Sequence, residues 1–320
     1  MNFAAAEKIA RAVLYEGYIL YPYRPSAVKN RQRWSFGTLS PHASGEPSRL
    51  VAECLVKTTA ETRLDLRVNF LQLVPKATAP EQISEQVREQ IPEQRLTDPS
   101  LAWDEGIERS SEHDHLRVKD LLHAALLRRI EIGDAGEQRL TGLLAIGVDQ
   151  IAEDVCRLHV SFENVTPLGA NGEAPRAEVL SRAFVSAHVL LGVRGGAFVS
   201  LLEPLPELRE AAADCHSAGV FPVLVGESPD RSMMLCSPII LYDYPAVAPE
   251  SEGDFFDGTE MDEMLTLRVL TLTDAEKQEL RAGDSHARRI LERTEAMSEE
   301  AMLRAHGVVR VLRPLGEEAR

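Results

Sequence analysis

The chain has 320 residues, of which 44% are hydrophobic and 27% charged, a make-up that fits one large or two modest globular domains. With 50 acidic against 35 basic residues its formal net charge is −15, which excludes a surface built as a whole to hold nucleic acid, because that binding neutralises phosphates with Lys and Arg. No apolar run is long enough for a membrane span, and the start MNFAAAEKIARAVLYEG is broken by Glu7, Lys8, Arg11 and Glu16, unlike a signal peptide.

Residues 3–16 place Ile9, Val13 and Leu14 at helical spacing, and Gly17 and Pro22 end that helix. A turn-rich polar loop follows to about Pro47. Arg63 to Phe70 alternates polar and apolar side chains, the period of a half-buried strand, and Leu50 to Thr58 is expected to be its hairpin partner. The stretch EQISEQVREQIPEQ within 76–114 suits either a short surface helix broken by Pro92 or a mobile insertion. Asp120 to Arg129 looks helical. Strands are expected at 140–148, 155–165, 181–191 and 197–202, a helix at 206–218 ended by Gly219, and further strands at 221–225 and 233–241. Thr273 to Glu276 forms a capping box that opens a helical tail. The fold class is therefore α+β, an antiparallel sandwich-like centre with helices at both ends. Four segments are expected: 1–75, with the first helix, a basic aromatic loop and a hairpin; 76–135, a polar helical insertion; 136–272, the β-rich core with an acidic segment; and 273–320, the C-terminal helices.

All six tyrosines fall in two short segments of opposite charge, Tyr15-Tyr18-Tyr21-Tyr23 and Tyr242-Tyr244. The first runs into Arg24, Lys29, Arg31, Arg33 and Trp34. The second runs into eight carboxylates between Asp243 and Glu263, Glu250 among them, with no cation between. Tyr, Trp and Arg are enriched at binding hot spots, so these residues are candidates for a docking surface. Alternatively the rings cap the sandwich and the arginines are solvated.

No phosphate loop, dinucleotide fingerprint, nucleophile elbow or H-E-x-x-H motif is present, and no cofactor is expected. Asp254, Asp257, Glu260 and Glu263 carry the hard oxygen ligands that calcium or magnesium prefers, but without the EF-hand pattern. They are either a solvated acidic face or the metal site of an enzyme with Asp243 or His188 as base. Cys215, His216 and Cys236, with His188 across the sheet, are the residues that would deliver a soft metal. Against that, the four cysteines at 54, 156, 215 and 236 are widely spaced, as reduced thiols of a cytoplasmic protein would be. His113, His115 and His123 form a second loose group.

The stretches LYEGYILYPYRPSAVKNRQRWSFG, SFENVTP and SPIILYDYPAVAPESEGDFFDGTEMDEMLTLRVLTLTDAEK together resemble a bacterial protein family associated with gene clusters for nickel–iron hydrogenases. The resemblance implies a setting rather than a reaction: an accessory or maturation protein whose partner is a component of that redox system. Without a catalytic signature, the expected role is non-catalytic protein binding.

Overall fold

In the computed structural model, residues 1–24, 27, 30, 35–74, 104–133, 138–169, 174–247, 262–283, 285–298 and 300–302 are described. The strands are β1 (Arg49–Lys57), β2 (Arg63–Val74), β3 (Glu105–Arg117), β4 (Leu126–Ile132), β5 (Leu140–Ala152), β6 (Val155–Asn164), β7 (Val185–Arg194), β8 (Ala197–Phe198), β9 (Phe221–Leu224) and β10 (Met233–Ser237). They form two antiparallel sheets of five strands, one ordered β4-β5-β6-β1-β8 and the other β3-β2-β7-β10-β9. The helices are α1 (Ala4–Tyr15), α2 (Val118–His123), α3 (Arg176–Ser181), α4 (Arg209–Ala213), α5 (Asp262–Leu270), α6 (Asp274–Ala282) and α7 (Ser285–Glu295). No helix among the described residues is long and apolar enough to cross a membrane.

The sheets pack face to face because each strand turns alternate side chains inward. Leu50, Ala52, Cys54 and Val56 of β1 meet Leu64, Leu66, Val68 and Phe70 of β2 in one core. Phe184 stands edge-on to Phe70 and Phe162, with ring centroids 4.7 and 4.9 Å away. Gly142 makes room for this cluster, since a Cβ there would come within 2.4 Å of the Phe162 ring.

The two outer faces differ. The β2-β7-β10 sheet is covered: Phe3 at the N-cap of α1 and Ala6, Ala10 and Val13 within it lie on Leu190, Val223 and Leu235, and α5–α7 pack with Leu14, Tyr15, Tyr18 and Tyr23 onto Leu71, Leu73 and Val185. Strand β7, buried on both sides from Val185 to Val193, is accordingly mostly apolar, with Ser186 and His188 as its buried polar residues. The outer face of the β5-β6-β1 sheet is covered at one corner, where Leu208 and Ala212 rest on Leu55, Val155 and Val199. Elsewhere it shows side chains such as Leu127 and Leu143 to solvent.

Several expectations need correction. Strands β1 and β2 are not a hairpin: β1 pairs with β6 and β8, and β2 with β3 and β7. The intervening turn crosses between the sheets, with Thr58 N–H donating to Asp154 O and the Thr62 hydroxyl to Gly195 O. The helix expected at 120–129 is α2 followed by strand β4, which pairs with β5 through Leu126 to Ile132. Of the polar insertion expected at 76–135, residues 75–103 lie outside the described ones, but 105–132 contribute β3 and β4 to the two sheets. The helix expected at 206–218 is a short 3-10 turn plus α4, and the strand at 197–202 shrinks to β8.

Candidate functional site

The first aromatic segment is interior. Tyr18 is 1% and Tyr23 0% exposed. Tyr18 lies over Gly106 of β3, where a Cβ would sit 2.8 Å from the ring, and its hydroxyl donates to Asp104 O. Asn30 ties the following loop down by donating to Leu20 O and Arg24 O while accepting from Leu20 N–H. Tyr21 is half-buried, edge-on to Tyr23, with the Arg268 guanidinium over its ring. Arg24 turns inward along the molecule to Glu276 at 3.0 Å and Glu279 at 3.7 Å on α6. The Thr273 N–H and hydroxyl, and Arg24 more weakly, hold the Glu276 carboxyl below its usual range. Tyr18, Tyr23 and Arg24 are thus cement between the sandwich and the C-terminal helices, not a docking face. Lys29, Arg31, Arg33 and Trp34 lie outside the described residues.

The second segment is built differently. After β10, Ser237 Oγ accepts the Ile239 N–H, and Ile239 and Leu241 fold back onto the α1 layer. Asp243 closes the loop, accepting from the Ser200 hydroxyl at 2.5 Å and the Leu224 N–H at 2.8 Å. Tyr244 N–H donates to Leu224 O, and its ring packs against the core. At the other end Gly37 lets the chain pass under Pro238, whose Cβ would be 2.6 Å from a Cβ added there. Between these anchors the side chains alternate, leaving Ile240 79% and Tyr242 87% exposed, the most exposed large apolar side chains among the described residues.

The soft-metal set does not assemble. Cys236 faces the core between the sheets, where burial pushes its thiol up to about 12. Cys215 packs with Leu208 and Ala212 on the far side of β1, and its thiol donates to Ala211 O. Cys236 is in register with Val189, so neighbouring His188 points to the opposite face of that sheet. Burial drives the His188 imidazole down to about 4, only partly offset by its bond to Ser186 O. Among the described residues no group of His, Cys, Asp and Glu is arranged to hold a metal ion. Glu263 lies in the first turn of α5, whereas Glu250, Asp254, Asp257 and Glu260 are outside the described residues.

One constellation belongs to no sequence motif. On the open sheet face, His159 of β6 lies between Glu53 of β1 and Asp149 of β5, its Nδ1 2.9 Å from Glu53 Oε1 and its Nε2 2.8 Å from Asp149 Oδ2. Carboxylates only accept, so a ring carrying both protons donates to both. Glu53 Oε2 is also used, accepting the His216 N–H at 2.7 Å. Beside this triad runs a groove of about 490 Å³ with a floor of Ala145, Gly147 and Ser161 and a wall from Leu121 to Ala125.

Compared with known proteins, the chain matches no family model and no curated sequence.

Proposed function

We propose that this is a non-catalytic accessory protein that captures a protein partner through the loop carrying Ile240 and Tyr242. One observation carries the reading: two large apolar side chains are held in solvent, 79% and 87% exposed, on a loop pinned at both ends by hydrogen bonds and packing. Exposing them costs solvation, while the pinned backbone means little ordering entropy is lost on docking. A Tyr beside an aliphatic residue is the chemistry of a hot spot. In sequence the loop leads directly into the eight carboxylates of 243–263, so the partner presents an apolar pocket with a basic rim.

That the partner is a component or maturation factor of a nickel–iron hydrogenase system rests on the sequence resemblance. The cytoplasm is the compartment proposed, in keeping with four free thiols. Affinity capture from a hydrogenase-producing cell tests both points. Ile240→Asp and Tyr242→Ala are each expected to weaken capture of the hydrogenase component by roughly 30-fold, the loss of a hot spot worth about 2 kcal/mol. Capture unchanged by either substitution overturns the reading.

A further inference from the structure

The groove on the open sheet face carries an electrostatic imbalance that the described residues do not resolve. Glu53 and Asp149 bring two negative charges to His159, which supplies at most one positive charge. Both Glu53 oxygens are occupied, by the His159 ring and the His216 N–H. Asp149 uses one oxygen on His159 and, at 68% side-chain exposure, turns the other to solvent at the groove's end. Arg157, its register partner on β6, reaches away to Asp214 at 3.8 Å and Ala211 O at 3.5 Å. Among the described residues, His159 is the one basic side chain in contact with Asp149.

The rest of the groove is small and apolar. Along β5 the outward positions after Asp149 are Gly147 and Ala145, and in register with Ala145 across the sheet come Ser161 and Val51. From Asp149 to Ala145 is roughly 13 Å at about 3.3 Å per strand residue, the reach of four residues of extended chain. Ala124, Ala125 and Asp149 on its margins are themselves exposed. Such a trough cannot enclose a small molecule over most of its surface, as small-molecule sites do, but it can seat an extended chain lying across it.

We propose that this groove binds an extended segment of a partner protein that carries a lysine or arginine. The cationic head meets the free oxygen of Asp149, the aliphatic stem lies over Gly147, and the apolar side chain two residues away, on the same side of the extended segment, rests on Ala145 and Val51. Lysine and arginine suit the site because their stems cover apolar surface while their heads seek a carboxylate.

The test uses the full chain and a fluorescein-labelled hexapeptide in which one lysine and one leucine stand two residues apart among serines, so that both face the same side when extended, with fluorescence anisotropy at physiological salt. The same peptide with glutamate in place of lysine is the control. The lysine peptide is expected to bind and the glutamate peptide not. Asp149→Asn weakens binding about fivefold, the size of a partly exposed ion pair. Gly147→Val fills the trough and weakens binding by roughly tenfold or more; the fold tolerates it, because a Cβ there meets only Ala125 Cβ, at 3.7 Å. Glu153→Gln, which removes an equal charge outside the groove, and Tyr242→Ala leave the affinity unchanged. Lack of binding by the wild-type chain, equal binding of the glutamate peptide, or an Asp149→Asn loss no larger than that of Glu153→Gln overturns the proposal.

Discussion

Truncating Tyr18 and truncating Tyr242 are opposite experiments on one residue type. Tyr18 is 1% exposed, its ring fills the space above Gly106 and its hydroxyl donates to Asp104 O at 3.1 Å. A tyrosine buries roughly 150–250 Å² on folding. At about 25 cal/mol/Å² for the apolar part, with the cavity penalty added, Tyr18→Ala costs roughly 3–5 kcal/mol. At roughly 2–4 °C per kcal/mol, the melting temperature falls by roughly 6–20 °C. Tyr18→Phe removes the hydrogen bond alone and costs about 1 kcal/mol. Tyr242, 87% exposed, supports no packing, so Tyr242→Ala moves stability by less than about 0.5 kcal/mol and acts on partner capture. Thermal and urea unfolding followed by far-UV circular dichroism, run beside the capture assay, separate the two effects. An unchanged melting temperature for Tyr18→Ala would refute the interior placement of the first aromatic segment, and a large drop for Tyr242→Ala would make that ring structural.

Further outcomes concern buried ionisable groups. His188 is held neutral, with its imidazole at about 4, so the unfolded chain binds the extra proton first. Its contribution therefore penalises the fold progressively as pH falls from about 6.5 to 4 and saturates below, by about 3 kcal/mol in all; His188→Gln is expected to flatten the stability–pH curve across that window. Burial pushes the Asp65 carboxyl up, but bonds from the His115 N–H, the Met1 amino group and Arg194 outweigh it and hold it below its usual range. Its contribution is complete above about pH 4 and lost as pH falls through the lowered folded value. Asp65→Asn then costs about 1–3 kcal/mol at pH 7, and the gap to wild type narrows in acid; a gap constant down to pH 2 contradicts the assignment. In thiol labelling at pH 8, Cys215, half-buried, reacts before Cys54, Cys156 and Cys236, which are buried and need unfolding; early labelling of Cys236 would contradict its place between the sheets.

The fold class was legible where one side of an element is apolar and the other polar. Strand β6 alternates from Cys156 to Glu163, and Thr273 with Glu276 announces helix α6 through the capping box that forms. Strand partnership was not legible, because β1 and β2 each have an inward face and that period is the same whether neighbours pair or belong to facing sheets. Strand β3 hid for another reason. As an edge strand it carries polar groups on both faces, with Ile107 and Leu116 its only large aliphatic side chains, so its composition resembled an insertion. Leu126-Leu127-Arg128-Arg129 in β4 shows no alternation at all.

The tyrosine clusters marked two special segments without saying which way the rings point. Burial of Tyr15, Tyr18 and Tyr23 depends on helices more than two hundred residues downstream, a tertiary fact that no local pattern records. The Glu53–His159–Asp149 arrangement joins residues 106 and 10 positions apart on three strands. Its one trace in the sequence is a lone carboxylate at Glu53 inside the apolar run of β1.

The most direct test places a photo-crosslinking phenylalanine analogue at position 242 in the living cell, with the same analogue at Leu267, 40% exposed on α5, as the control. A single dominant adduct to a hydrogenase-system protein at 242, absent at 267 and abolished by Ile240→Asp, is the predicted result. The same mixture of adducts at both positions, indifferent to Ile240→Asp, would contradict a docking role for the loop.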